Sequence, residues 1–316
     1  CLIEAPGCFP NYTVWNNLML QATNLSVPNK EDEVRRVLKL VRMEGAAGNK
    51  YKNCSLGMKQ RIGKYFRMIN ADDLWNRLKQ HIKPEWKSAF FATVIAGFLM
   101  HLYPMTHHFL TYDSLWNQFS NQDMIASGRQ FLMYACGISS FFDLPWVNGV
   151  LSIFYLGITA IVITEAFELK DRFFAALGGI LLVSFPAIVS TFCYAYTIDG
   201  YMLALLCSAL AYLVTRKYKW GFIPGIILVG FSLGVYQAYY SFTILLCILG
   251  LLKDVLTKEK TKELLGKIPA YLGMGIGGYA FYVITLKIML ALKDAEISGY
   301  QGTDKILAFS VADIPR

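Results

Sequence analysis

The sequence predicts an all-α protein: a polytopic bundle of about seven transmembrane helices, preceded by a small, mostly helical cytoplasmic segment. Of its 316 residues, 55% are hydrophobic and only 16% are charged, whereas soluble domains usually carry about a quarter charged residues. Most of the charge lies within residues 1–87, and long apolar runs separated by short polar ones follow. We therefore divide the chain into residues 1–63, 64–87 and 88–316.

The apolar runs are long enough to form membrane helices. A helix needs about 20 apolar residues to cross ~30 Å of hydrocarbon, where unpaired backbone groups are costly. One run of 32 residues has lysine or arginine on both sides, which is typical of cytoplasmic flanks, so we predict that it crosses twice and turns near residues 236–240. The predicted spans are Ser88–Leu110, Val147–Phe167, Phe173–Cys193, Tyr201–Thr215, the hairpin Gly221–Leu252 and Ile268–Leu292.

The basic residues also predict the orientation and the partners. A net charge of +8 could indicate nucleic acid, but the lysines and arginines cluster at the ends of apolar runs, which indicates a lipid bilayer and no nucleic acid. The loop 111–146 has a single basic residue, Arg129, so we place it outside. We expect a bacterial inner membrane protein with a cytoplasmic N-terminus. Hydrophobic residues at helical spacing predict either an amphipathic helix on the inner membrane surface or a soluble helix packed on a neighbour: Met68, Ala71, Trp75, Leu78 and Ile82.

Residues 1–63 contain the heptapeptide Ser55–Arg61, SLGMKQR. It resembles the signature motif of ABC transporter ATPases of the bacitracin-resistance type, and residues 3–7 and 11–18 resemble the segment after their Q-loop. The resemblance places Ser55, Gly57 and Gln60 in a helix start that binds a γ-phosphate. The chain has no GxxxxGK[ST] loop and no following strand that ends in Asp-Glu. We therefore expect no ATPase activity, and a fusion or truncation junction near residues 63–68.

Five different short motifs occur in the loops and helix ends after residue 68: Tyr112–Leu115, Ala126–Arg129, Pro145–Ser152, Ile198–Tyr201 and Gly234–Tyr240. Together they resemble the serotype-converting O-antigen glucosyltransferases of the GtrII type, over about 250 residues. Gln130 departs from the family, which often has an aromatic residue there, and we expect the family's C-terminal part to be missing. The resemblance implies a GT-C-like enzyme that moves a glucosyl or related sugar from a polyprenyl-phosphate donor to a polysaccharide acceptor.

The first outer loop contains the residue types that this chemistry needs. Transfer requires a carboxylate that accepts the proton of the acceptor hydroxyl and a cation that stabilises the departing phosphate. Asp113 and Asp123 are the candidate catalytic carboxylates, with Asp113 preferred as the base. Arg129 is the candidate phosphate ligand, because a guanidinium matches phosphate geometry. The alternatives are a solvated loop aspartate and an arginine that anchors the next membrane helix.

Asp199, Tyr236 and Gln237 are further candidates for substrate binding. The pair Asp199-Gly200 equally fits a turn, and the tyrosines equally fit an interfacial aromatic belt. A divalent cation is the only cofactor that we consider, because histidines occur near the outer end of the first span, although adjacent histidines on a helix do not easily share one ion. Seven cysteines without a CxxC pair predict buried thiols rather than a disulfide framework.

Two other functions remain open. The ABC-like segment suits a transporter component, a permease or a flippase, for which Glu165 and Lys287 near span ends are the candidate charged groups. The missing ATPase parts suit an inactive fusion fragment. An export phenotype that does not depend on sugar transfer would favour the transporter.

Overall fold

The computed structural model describes residues 8–24, 29–62, 82–107, 111–139, 142–257 and 261–299. The chain divides into two compact units, Cys1–Ile82 and Lys83–Arg316. The predicted Q-loop-like residues 3–7 and nearly all of the predicted amphipathic helix, residues 68–81, lie outside the described residues.

The first unit is a small helical assembly with its own apolar core. Helices α1 (Val14–Asn24) and α2 (Lys30–Leu40) pack together and are followed by a helical stretch at residues 56–62. The core includes Leu18 of α1 and Leu38 of α2. The Ser55 hydroxyl accepts a hydrogen bond from the Met58 amide at 3.3 Å, which is N-cap geometry. Thus Ser55 begins a helix, as the ABC resemblance predicts; the signature role of Ser55, Gly57 and Gln60 stays a prediction.

The second unit is all-α, which confirms the predicted fold class. Its helices are α3 (Pro84–Thr106), α4 (Tyr112–Asn117), α5 (Leu132–Cys136), α6 (Pro145–Ala166), α7 (Arg172–Ser184), α8 (Pro186–Thr191), α9 (Ile198–Lys217), α10 (Phe222–Val235), α11 (Tyr239–Leu256) and α12 (Thr261–Lys293). By length and composition α3, α6, α9, α11 and residues Gly266–Lys293 of α12 could cross a membrane, and α7 and α10 are shorter apolar helices. The predicted hairpin turn is confirmed, because the backbone leaves the helix between Val235 and Tyr239.

The predicted span Phe173–Cys193 is wrong as one continuous helix. Helix α7 ends at Ser184, Phe185 is extended with φ −61° and ψ 132°, and α8 begins at Pro186. Proline lacks the amide hydrogen that a helix interior needs, and its ring disfavours helical geometry at the preceding residue. The apolar run therefore forms two helices, and the break lies next to the site described below.

Helix α9 is the centre of the bundle. It packs against α6, α10 and α11, while α3 packs against α6 and α7, and α12 packs against α10. Small residues allow close contacts: a Cβ on Gly179 of α7 would lie 2.2 Å from the Thr93 hydroxyl of α3. Because α9 is surrounded by other helices, most of its side chains are buried, including Met202, Leu205 and Tyr212.

Ion pairs join the helices at the end that the sequence predicts to be cytoplasmic. Glu165 of α6 accepts hydrogen bonds from Lys83 at 2.6 Å and from Lys217 at 2.8 Å. Asp254 of α11 is buried and pairs with Arg216 of α9 and Lys267 of α12. The buried pair Arg216–Asp254 was not predicted, because the two residues lie just beyond the predicted spans. Glu165 thus contacts two other helices, and Lys287 is exposed.

Candidate functional site

A cavity of about 1360 Å³ lies at the opposite end of the second unit. Its polar lining comes from the loop 111–129 and from the ends of α9 and α11 nearest to that loop, and includes Asp113, Asn117, Arg129, Tyr196, Tyr201 and Tyr236. One to two helical turns deeper the lining becomes apolar, with Leu181 of α7, Leu205 of α9 and Leu245 of α11. Leu181 and Leu245 are also exposed on the outer surface of their helices. The cavity therefore joins a polar head to an apolar wall that reaches the outer surface of the bundle.

Arg129 is held by two tyrosine rings at the polar head. Its Nη1 donates to the Tyr201 hydroxyl at 3.0 Å, and its guanidinium carbon lies 5.0 Å from the centre of the Tyr236 ring. The Tyr201 and Tyr236 rings are themselves stacked, with centres 4.5 Å apart. The buried Nε of Arg129 has no hydrogen-bond partner within the described part of the chain. This arrangement fixes the plane of the guanidinium and leaves a donor unused.

The turn that carries Arg129 is tied to the bundle through its carbonyl groups. Gly128 has φ 71°, a left-handed conformation that glycine adopts at low cost. Its carbonyl accepts hydrogen bonds from the Gln237 amide and from the Tyr282 hydroxyl, both at 3.0 Å. Gln237 also donates to the Ser127 carbonyl at 3.1 Å. These bonds anchor the turn to α12 and to the loop between α10 and α11, and thereby set the position of Arg129.

The neighbouring residue Gln130 reinforces the same anchor. Its side chain is buried and donates to the Tyr282 carbonyl and to the Thr285 hydroxyl, each at 3.2 Å. The Phe131 amide donates to the Gly234 carbonyl at 2.8 Å. An aromatic side chain at position 130 could not donate these two bonds. Gln130 thus has a structural role in this chain.

Asp113 enters the cavity from the short helix α4. Thr111 caps this helix, because its hydroxyl accepts a hydrogen bond from the Ser114 amide at 3.1 Å. Asp113 and Asn117 are four residues apart, so they lie on one helical face, and both line the cavity. The side-chain amide of Asn117 donates to the Asp113 carbonyl at 2.7 Å. The carboxylate is therefore placed at the mouth of the cavity by a capped helix.

Tyr196 lines the same cavity as Asp113, the predicted base, and Arg129, the predicted phosphate ligand. Burial raises the pKa of its phenol well above the usual value, and the nearby Tyr201 and the charge of Asp113 raise it further, while Arg129 opposes the shift. A tyrosine phenol is protonated at neutral pH even at its ordinary pKa of about 10, and the raised pKa of Tyr196 extends this range, so its hydroxyl can donate a hydrogen bond. Asp113, Arg129 and a neutral phenol thus share one pocket.

Four of the six residues predicted for catalysis or substrate binding line the cavity: Asp113, Arg129, Tyr236 and Gln237. The other two lie elsewhere. Asp123 pairs with Lys293 at the end of α12. Asp199 is fully buried at the start of α9. Gln237 lines the cavity, but its amide nitrogen is engaged by backbone carbonyls.

The histidines have contacts of their own in the described residues. His101 is buried, stacks on Phe192 with ring centres 3.7 Å apart and lies 3.2 Å from the Val183 carbonyl. His107 stacks on Tyr103, and His108 lies outside the described residues. Among the residues that the structure describes, no three histidine, cysteine or acidic side chains are grouped as metal ligands would be.

Tyr196 and Tyr201 were not predicted as site residues. Tyr196 lies two residues before the motif Ile198–Tyr201 and Tyr201 is the last residue of that motif, so the two tyrosines lie on either side of the start of α9. The sequence shows tyrosines at positions 194, 196 and 201, and this density near a helix start was the available signal. Their convergence on Arg129, 72 residues away from Tyr201, depends on how α9 packs beside the first outer loop.

Comparisons with known proteins bear on this unit. A family model described as "Glucosyl transferase GtrII" matches residues 102–314. The matched range includes the cavity, both predicted catalytic aspartates and α6 to α12. No curated protein and no solved structure matches the chain.

Proposed function

The chain belongs to the GtrII glucosyl transferase family, and on that premise we propose that it moves a glucosyl group from a polyprenyl-phosphate carrier to a surface polysaccharide such as O-antigen. Family membership and the apolar helices make it a multi-pass membrane glycosyltransferase. The carrier, the acceptor, the bacterial inner membrane and the cytoplasmic N-terminus are parts of the proposal. The reaction would take place at the outer cavity.

The proposal rests on one observation: a carboxylate and a guanidinium, Asp113 and Arg129, line the same cavity. In the proposed step Asp113 accepts the proton of the acceptor hydroxyl, while the oxygen of that hydroxyl attacks the anomeric carbon of the sugar. The bond between that carbon and the phosphate oxygen breaks, and the electron pair leaves with the polyprenyl phosphate. Arg129 would neutralise the departing phosphate, for which a planar guanidinium is well suited.

The apolar wall supports a lipid-linked donor. A polyprenyl phosphate has a charged head and a long hydrocarbon tail, and the cavity combines a polar head with apolar residues that include Phe185, Ile188 and Leu245. Phe185 and Leu245 are exposed on the outer surface of the bundle, where membrane lipid would surround them. A tail could then lie along the wall without leaving the hydrocarbon.

The test is sugar transfer by the full chain in proteoliposomes that contain purified O-antigen and polyprenyl-phosphate glucose with a radiolabel on the glucose. We expect label in the polysaccharide, and a loss of at least about 100-fold for Asp113→Asn, because general bases contribute about 10² to 10⁴ in rate. Asp123→Asn is the matched control, since Asp123 belongs to the same loop but pairs with Lys293. The Asp123→Asn variant should lose less than about tenfold in transfer rate.

Two results would contradict the proposal in different ways. Full transfer by Asp113→Asn would remove Asp113 as the base. Transfer from a nucleotide sugar, with none from the lipid-linked donor, would show that the donor class is wrong.

A further inference from the structure

Helix α4 has two faces of opposite character. Asp113 and Asn117 line the cavity, and Ser114 is buried beneath them. The other side presents Tyr112 and Trp116, which are 76% and 75% exposed, and Phe119, two residues after the helix, is 82% exposed. Such large, uncharged, exposed rings on one side of a polar outer loop are costly in water, because their burial elsewhere would be favourable by about 2 kcal/mol each.

The height of α4 relative to the membrane follows from its two ends. Only five residues separate Thr106, the last residue of α3, from Tyr112, and five residues extend over at most about 18 Å. After the helix, the Gln118 carbonyl accepts a hydrogen bond from the Asp143 amide at 3.0 Å, two residues before α6 begins at Pro145. Helix α4 is therefore held next to the outer ends of two membrane helices.

The exposed aromatic side of α4 continues into the outer face of α6. The rings of Phe119 and Phe142 are in contact, with centres 6.0 Å apart. From there the exposed residues Trp146, Val150 and Phe154 repeat every four residues along α6. This spacing marks one face of a helix, and on a membrane helix an exposed apolar face contacts lipid. Tyr112, Trp116 and Phe119 thus form the outer end of a lipid-facing surface.

We propose that Tyr112, Trp116 and Phe119 lie in the lipid–water interface of the outer leaflet, and that this anchorage holds Asp113 at the cavity mouth. Tyrosine and tryptophan are favoured at this depth, because their rings prefer the acyl region and their polar atoms prefer the head groups. The side chains of α4 alternate accordingly between a polar cavity and lipid. The consequence for Asp113 rests on the proposed function, whereas the lipid contact does not.

The lipid contact is tested by tryptophan fluorescence of the full chain in vesicles of brominated phosphatidylcholine. The chain has six tryptophans, so the signal of Trp116 is obtained as the difference between the unchanged chain and Trp116→Phe. We expect brominated lipid to quench this difference signal by more than about half, because bromine quenches only on near contact. Aqueous iodide should quench the same signal little. Trp15→Phe, in the first unit, is the control for the subtraction. A Trp116 signal quenched by iodide and not by brominated lipid would overturn the proposal.

The anchorage is tested by transfer activity. The double variant Trp116→Ser with Phe119→Ser should lower kcat about tenfold, because a shift of the catalytic group by about 1 Å is costly, while Trp116→Phe keeps near-normal activity. The matched control is Tyr218→Ser with Trp220→Ser, two exposed aromatics at the opposite end of α9, which should leave kcat unchanged. Normal kcat in the first double variant would overturn the anchorage. Absence of transfer by the unchanged chain would instead count against the proposed function, and the quenching result would still decide the lipid contact.

Discussion

The guanidinium of Arg129 lies over the ring of Tyr236, 5.0 Å from its centre, while Nη1 of the same group donates to the Tyr201 hydroxyl. The planar guanidinium thus contacts the Tyr236 ring with its face and donates a hydrogen bond to Tyr201 from its edge. A lysine ammonium can offer only a point charge and would lose either the ring contact or the defined donor direction. The planarity of Arg129, and not only its charge, determines the geometry of the polar head.

We therefore expect Arg129→Lys to lower transfer at least about tenfold, and Arg129→Ala about 100-fold or more, as for the loss of one transition-state donor. The measurement is kcat with the lipid-linked donor in proteoliposomes. Arg172→Lys, at the exposed start of α7, is the matched control and should not change kcat. If Arg129→Lys were as active as the unchanged chain, the phosphate-ligand role would be wrong.

The hydroxyl of Tyr282 supports Arg129 from a distance. It donates to the Gly128 carbonyl and accepts from the Gln237 amide at 3.3 Å. Tyr282→Phe keeps the ring but removes both bonds, so we expect a loss of about 1 kcal/mol in stability and several-fold in kcat. Tyr240→Phe is the control, because no hydrogen bond to the Tyr240 hydroxyl occurs in the described part of the chain. A decrease in kcat of the same size in both variants would show that the effect is not specific to the Arg129 turn.

Asp254 should matter for stability rather than for transfer. It is 1% exposed and pairs with Arg216 at 2.5 Å and with Lys267 at 2.9 Å, far from the cavity. Removing one partner of a buried ion pair leaves an uncompensated charge, at a cost of about 3–5 kcal/mol. We expect Asp254→Asn to lower the thermal unfolding temperature in detergent clearly. The double variant Arg216→Met with Asp254→Leu should recover part of this decrease in the unfolding temperature.

The matched control for Asp254 is Glu168→Gln. Glu168 pairs with Lys253 at 3.2 Å, but its side chain is 69% exposed, so the pair should contribute less than about 1 kcal/mol. Equal shifts of the unfolding temperature in Asp254→Asn and Glu168→Gln would contradict the assignment of Asp254 to a buried network.

Cys193 tests the orientation of the second unit. It is exposed just after α8, at the end of the bundle that carries the cavity. We expect a membrane-impermeant maleimide to label Cys193 in cells whose outer membrane has been permeabilised, and Cys193→Ser to abolish that labelling. Cys54 in the first unit should stay unlabelled, because burial raises the pKa of its thiol and leaves little reactive thiolate. Labelling of Cys193 only after the inner membrane is opened would reverse the predicted orientation.

The helices of the second unit could be predicted from the sequence because their cause is local. Apolar runs of a given length either reach across a bilayer or do not, and the basic flanks of Gly221–Leu252 required two crossings. The turn at Tyr236 followed from this count. The break between α7 and α8 is also encoded locally, since Pro186 lies inside the run, although the length of the apolar stretch alone predicts one continuous helix.

The site was only partly predictable. Asp113 and Arg129 were chosen because a carboxylate and a cation occur together in a loop of low positive charge. Asp123, in the same loop, is the second candidate carboxylate by sequence, and only the folded chain pairs it with Lys293, 170 residues away. Gln237 was expected to bind substrate, whereas the structure shows its amide holding the backbone of the Arg129 turn.

By itself, then, the sequence determined the all-α fold class, most of the long apolar helices and the turn near Tyr236, because hydrophobic length and flanking charge act within single segments. The tertiary structure decided which side chains meet. Arg129, Tyr201, Tyr236 and Tyr282 come from four separate parts of the chain, and their contacts depend on the packing of α9, α11 and α12 around the loop that carries Arg129. No local pattern encodes a contact between residues so far apart, since it arises from the fit of whole helices.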